Sequence, residues 1–199
     1  MAEIRISELT PEATLNGTEL AELSKLVGDA YYSVSGTTAQ IAYAGTKYGS
    51  FYDLTDQTGS VSAATSVKFG TTDIGTNGVT VASDGTSLTR ITYAAAGTYM
   101  LAPSLQLENS DNADHDVTVW FAKNGTSIPS SATRITVPKS TDGGAGFFQI
   151  VFYATVAAND YMTVQWLPEN AAITIAHTAA GAIAPAVPSA IMVTERIGL

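Results

Sequence analysis

From Gly97 to Leu107 the chain alternates in character. Tyr99, Leu101, Leu105 and Leu107 fall on one parity, and Thr98, Ser104 and Gln106 on the other. Successive side chains of an extended chain point to opposite faces, so this spacing predicts a strand with one apolar side and one wetter side. Similar strand chemistry recurs at residues 50–54, 65–69, 79–82, 88–93, 117–123, 147–156, 161–167, 172–176 and 191–196. Asn77-Gly78, Asp84-Gly85 and Asn124-Gly125 suit tight turns that need positive φ. Regular short strands separated by such turns predict a two-sheet β-sandwich or barrel for the body of the chain. The segment 147–156 is apolar on both parities, with Phe148, Ile150 and Phe152 on one and Phe147, Val151 and Tyr153 on the other. It is expected to be covered on both faces, by the core on one and by a neighbouring subunit on the other.

Residues 1–49 read differently. Thr10-Pro11-Glu12 has the form of a helix cap, a proline at the first helical position and an acid near the positive helix end. Thr18 is placed to cap a second short helix, with Glu19 and Glu22 in its first turn, Lys25 in its last and Gly28 just beyond. At helical spacing Leu20, Leu23 and Val27 share one face. A helix this short is marginal alone in water and must dock that face on something. Residues 31–48 are rich in Ser, Gly, Thr, Ala and Tyr and read as an extended arm with one short strand around residues 40–43. The expected organisation is a docking arm and linker over 1–49, with one or two short helices, and a β-sandwich domain over 50–199.

Composition sharpens the picture. At 199 residues the usual surface scaling gives roughly 8,900 Å² folded against about 30,000 Å² unfolded, enough for one self-sufficient core. Charged residues make up only 14% of the chain and mean hydropathy is +0.14. Ala, Thr, Ser and Gly stand where a free monomer carries ions, which predicts an oligomer that hides part of this surface. The formal net charge is -9, and the basic residues are scattered singly. No basic stripe exists to neutralise phosphates, so nucleic acid is not an expected partner. There is no cysteine, which excludes disulfides and thiolate metal sites. Residues 1–5 lack a basic-then-apolar leader pattern, and no apolar run approaches the ~20 residues a membrane span needs. A product made in a cytoplasm, without a membrane partner, is expected.

Catalytic constellations are missing. The two histidines, His115 and His177, lie in a polar turn and at a strand end, and no H-E-x-x-H, G-x-S-x-G or phosphate-binding loop occurs. The acidic turn 108–116 offers Asp111, Asp114 and Asp116 as oxygen ligands for calcium, but its spacing matches no EF-hand, and a solvated hairpin loop is the plainer reading. Asp160 and Glu169 are the carboxylates to consider for a glycosidase, with Asp160 reading better as a turn residue. The expectation is a protein with no catalytic residue, no metal and no cofactor. Tyr99, Leu101, Trp120, Phe147, Phe152 and Trp166 are expected to fill a β-core or a subunit interface; for Trp120, Trp166, Phe147 and Phe152 the alternative is a carbohydrate platform or a cofactor pocket.

Two resemblances add to this. Gly97-Thr98-Tyr99-Met100-Leu101 resembles the glycine-x-tyrosine-x-apolar strand of the tumour necrosis factor and complement-type jelly roll. Ala158-Asn159-Asp160-Tyr161-Met162-Thr163-Val164 is similar to a turn and strand that follow it in that family. The resemblance covers roughly residues 50–180 and implies a compact homotrimer around a threefold axis. Secreted members carry leader or stalk sequences, a pattern not seen here, so the expectation is against a signalling role. The second resemblance lies in Ile6-Ser7-Glu8-Leu9-Thr10 followed by Leu15-Asn16-Gly17-Thr18-Glu19-Leu20, which is similar to the opening of many tailed-phage virion proteins. It implies a capsid decoration (cement) or head-fibre protein in a virion assembled in the host bacterial cytoplasm. The partner would be the major capsid protein or another virion protein, met through Ile6, Leu9, Leu15, Leu20 and Leu23. The alternative is a tail fibre or receptor-binding tip that recognises a host-surface glycan through loops at 83–86, 108–116 or 139–146.

Overall fold

The computed structural model describes residues 46–74 and 76–198, together with the backbone of residues 20–27 and 30–37. The chain divides into two compact units, Met1–Thr46 and Lys47–Leu199. In the first unit, β1 (Leu20–Val27) pairs antiparallel with β2 (Ala30–Thr37) along its whole length, from Leu20 opposite Thr37 to Val27 opposite Ala30. The helix expected after Thr18 is therefore a strand. Eight residues of helix close few hydrogen bonds, whereas the segment 30–37, with Tyr31, Tyr32, Val34 and Thr37, offers a complete ladder two residues away. At strand spacing, positions 20 and 23 fall on alternate parities, so a single leucine stripe does not carry over. The helix expected near Thr10, the short strand near 40–43, and Ile6, Leu9 and Leu15 lie outside the described residues.

The second unit opens with β3 (Tyr48–Asp53). Short strands β4 (Gln57–Thr58), β5 (Thr65–Ser66) and β6 (Thr71–Thr72) follow, then β7 (Val79–Ser83) and β8 (Leu88–Tyr93). The long β9 (Gly97–Asn109) precedes β10 (His115–Lys123), β11 (Thr126–Ser127) and β12 (Thr133–Val137). After a 3-10 turn at Ser140–Asp142 come β13 (Ala145–Gln149), β14 (Phe152–Val156), β15 (Tyr161–Pro168), β16 (Ile173–Ile175) and β17 (Ala190–Gly198). One sheet carries β3, β17 and β9 side by side, with β13 and β14 on the far flank of β9; the other carries β8, β15, β10 and β12, with β7 added outside β8. With β13 and β14 counted as one, the eight principal strands read first-eighth-third-sixth in one sheet and second-seventh-fourth-fifth in the other. That is the strand order of a jelly roll, two antiparallel sheets packed face to face.

The alternation in β9 sets the core. Tyr99, Leu101 and Leu105 are fully buried and Leu107 nearly so, while Thr98, Met100, Ala102, Ser104 and Gln106 stand half-buried on the other side. Facing them across the sandwich are Ile91, Val117, Val119, Phe121, Val164 and Trp166, all buried. Tyr93 and Tyr99 meet with ring centroids 4.4 Å apart. Their hydroxyls are satisfied, Tyr93 with Thr194 at 3.3 Å and Tyr99 by donating to the Ala95 carbonyl at 3.1 Å.

The expected strand 147–156 is broken at 150–151, yet its register against β9 does not change. Gln149 faces Ser104 and Phe152 faces Leu101. The residue opposite Ile150 in that register is Pro103, which has no amide to donate, so the ladder lapses there and resumes. Asn124 (φ 51°) and Gly125 (φ 81°) both take the left-handed conformation that a two-residue hairpin between β10 and β11 requires.

Candidate functional site

The outer surfaces of the two sheets differ in kind. On the β8-β15-β10-β12 sheet, outward groups bond one another. Arg134 lies 3.4 Å from Asp116, Thr136 donates to Asp116 at 2.6 Å, Gln165 donates to Ser66 and Thr163, and Arg90 sits over the Tyr161 ring. Trp120, half-buried on this face, donates to Ser127 at 3.0 Å.

The outer face of the β17-β9-β13/β14 sheet is poor in charge, with large apolar side chains set among the uncharged Thr98, Ser104, Gln106, Gln149 and Thr155. Register places Val193 beside Ala102, and Met100 between Glu195 and Tyr153. Phe147 stands beside Gln106, and Ile191 between Ser104 and Tyr52. Phe147 is 55% exposed, Tyr153 56%, Val151 49% and Val193 41%. Carboxylates occur only toward the two ends of this face, at Glu108 and Glu195, among its described outward positions. The inward parity of the same segment is covered: Phe148 is buried and Phe152 stacks on Phe121 at 4.5 Å between centroids. Where this face turns the edge of the sandwich, Phe152 and Tyr153 join Ile128 and Pro129 to line a groove of about 400 Å³. Of the residues singled out from the sequence, then, Tyr99, Leu101 and Trp166 lie in the core, Phe152 at its margin, Phe147 on the uncovered face and Trp120 on the opposite sheet.

No family model and no curated protein matches the chain. Among solved structures it is similar to the crystal structure of murine APRIL at pH 8.0, with 10% identity and a TM-score of 0.48 over 76% of this chain and 99% of that one. The jelly-roll assignment rests on the strand order of the chain itself.

The loops at the Asn109 end of β9 use their carboxylates on the protein. Asp111 accepts from His115 Nε2 at 2.8 Å and from the Asn112 amide at 2.7 Å, and these bonds hold its carboxyl below the usual range. Asp114 accepts from the Lys139 amide, and Asp116 from Thr136. Glu169 accepts from the Asp116 amide at 2.9 Å. Beneath them, buried Asn109 donates to the carbonyls of Ala113, Val137 and Pro138 and accepts from the Asp111 amide, pinning the loop to the end of β12. Among the described residues no group of three His, Cys, Asp or Glu is placed to hold a metal ion. The sequence pattern did not single out Asn109, because its partners lie up to 29 residues away.

Asp84 closes the β7–β8 hairpin. It accepts from the amides of Ser87 and Thr86 and from the hydroxyls of Thr86 and Thr89, at 2.8–3.0 Å, and the Ser87 and Thr86 amides above all hold its carboxyl well below the usual range. A depressed carboxylate adds stability above its unfolded pKa that is lost as pH falls through the folded one. Asp84→Ala is therefore expected to cost about 1 kcal/mol at pH 7, the scale of a lost capping carboxylate at an exposed turn. Urea melts of both proteins should converge as pH drops from 5 toward 2. A gap that stays constant with pH would assign the cost to shape, not charge.

Proposed function

We propose that this chain is a non-enzymatic structural protein of a bacteriophage particle. It is read as a homotrimer of tumour necrosis factor-type jelly rolls that decorates the capsid, as a cement or head-fibre protein, and meets the major capsid protein or another virion protein through its N-terminal segment. Assembly is carried by one observation, the exposed Phe147, Val151, Tyr153 and Val193 on the charge-poor outer face of the β17-β9-β13/β14 sheet, beside an opposite sheet whose outer polar groups satisfy each other. Phe147, Val151, Tyr153 and Val193 alone leave roughly 400 Å² open, at the scale of a functional patch and about half of what one partner contributes to a standard interface. The occupant is a second copy. The face runs on into the edge groove, with Tyr153 part of both, so each copy offers its neighbour one continuous surface, which an assembly of closed symmetry buries. Three copies is the number the jelly-roll resemblance implies. The virion reading rests on the phrase running from Ile6 to Leu20.

Removal of Met1–Thr46 tests the attachment. Cutting at residue 30 instead would take away β1 and leave β2 unpaired. The truncated protein is expected to keep its number of copies and to be missing from purified particles. Continued incorporation would move the attachment surface to the sandwich. Antibody labelling of particles separates the head reading, with label over the capsid, from a receptor-binding tip, with label at the tail.

A further inference from the structure

The chain enters the sandwich at Lys47, at the end where Tyr48 bridges Asn77 and β8 finishes at Tyr93. At the opposite end, between the loop after β3 and the β7–β8 hairpin, lies a groove of about 500 Å³ lined by Asp56, Gln57, Lys68, Asp84, Ser87 and Thr89, with further Thr and Ser hydroxyls around them. Its walls are held by bonds within the protein. Gln57, nearly fully buried, donates to the Lys68 carbonyl at 3.1 Å and accepts from the Lys68 amide at 2.8 Å. Asp84 is fixed by its four bonds to the hairpin. One oxygen of Asp56 accepts from both the amide and the ring Nδ1 of His177 at 2.8 Å. Lys68 Nζ donates to Thr55 at 3.2 Å, which leaves two of its three N–H groups. The second oxygen of Asp56 and the hydroxyls of Ser87 and Thr58 have no partner among the described residues.

The free groups are thus an ammonium, a carboxylate oxygen and hydroxyls, close together on a wall already ordered. An apolar ligand would strand Asp56 and Lys68 without water. An anion would meet Asp56 and Asp84. A metal ion lacks a cage, since no three-ligand group is present. A ligand whose hydroxyls both donate and accept satisfies every free group. We propose that this groove binds a neutral sugar, with Asp56, Lys68 and Ser87 as its polar contacts and Gln57 and Asp84 as residues that position the wall. The inference is independent of the assembly reading, because each copy carries the whole groove.

Saturation-transfer NMR of the full-length protein with glucose, galactose, mannose and N-acetylglucosamine tests it, with glucuronate as the anionic control. At least one neutral sugar is expected to bind with a Kd of about 1–10 mM, the range of a few hydrogen bonds on a preorganised surface. Lys68→Ala and Ser87→Ala should each weaken it by about tenfold, the scale of one hydrogen bond to a charged or polar partner, and Ser87→Ala, whose hydroxyl bonds no other described residue, should do so without moving the melting temperature. Glucuronate should bind more weakly than the neutral sugars. The proposal is overturned if no neutral sugar binds at about 100 mM, one decade above the top of that range. It is also overturned if both variants bind as tightly as the parent, or if glucuronate binds as well as the neutral sugars.

Discussion

Phe147→Asp with Tyr153→Asp is expected to turn the assembled protein into a folded single-copy species at micromolar concentration. Both side chains are more than half exposed and stand on the outward parity of β13 and β14, so no core contact is lost. Covering what they expose removes roughly 200 Å² of apolar surface per copy, about 5 kcal/mol at ~25 cal/mol/Å². Two carboxylates placed in the contact add a desolvation penalty on top. Together these weaken association by at least ~10³-fold. Sedimentation velocity reads the change in mass, and an unaltered far-ultraviolet spectrum shows that the sandwich persists. Thr80→Asp with Thr118→Asp, on the other sheet, should leave the mass as it was. Retention of the parent mass by the Phe147/Tyr153 variant would place the interface elsewhere, and a parent protein that is itself single-copy would end the assembly reading.

The same segment shows what was legible in the sequence. An apolar set on both parities of 147–156 pointed to a strand with two covered faces; the single chain covers one, through Phe148 and Phe152, and leaves the other open. The alternation of β9 fixed its buried side residue by residue, and Asp84-Gly85 and Asn124-Gly125 marked turns that do adopt positive φ, whereas Asn77-Gly78, though Gly78 has positive φ, lies in an extended bridge to Tyr48. Local pattern failed where a distant partner decides. Leu20–Val27 has helix-like caps, but its complementary strand lies just beyond and takes it into a hairpin. The lapse at 150–151 is set by Pro103, nearly fifty positions earlier in the chain. Strand β12 carries only Ile135 and Val137 as apolar residues between two prolines, too short a pattern to stand out, and is held by five-residue pairing with β10. The polar groove draws its walls from residues 56–58, 64–68 and 84–89, three stretches whose hydroxyl-rich sequence looks like ordinary loop until register brings them together.

Trp166→Ala is expected to be the most damaging single substitution in the sandwich, at about 3–5 kcal/mol, because the ring is fully buried between sheets and its loss leaves a cavity. Trp166→Phe should cost far less, about 1 kcal/mol. The indole Nε1 is buried without a hydrogen-bond partner among the described residues, so its removal relieves a desolvation penalty of about 1–3 kcal/mol that partly offsets the lost contacts. Gly59 adds an independent check. A Cβ there would sit 2.8 Å from Cζ2 and 2.9 Å from Cη2 of the ring, inside any real contact distance. Gly59→Ala should therefore cost about 1–3 kcal/mol in the parent, as overpacking does. Phenylalanine has no atoms at the far side of the six-membered indole ring, so in the Trp166→Phe background the same substitution should cost about half as much, with contact to Pro168 Cδ at 2.9 Å as the remainder. Urea melts of the four proteins give the coupling directly. Additive losses would mean that the ring does not fill the space beside Gly59. A Trp166→Phe cost as large as that of Trp166→Ala would mean that the indole nitrogen has a partner after all.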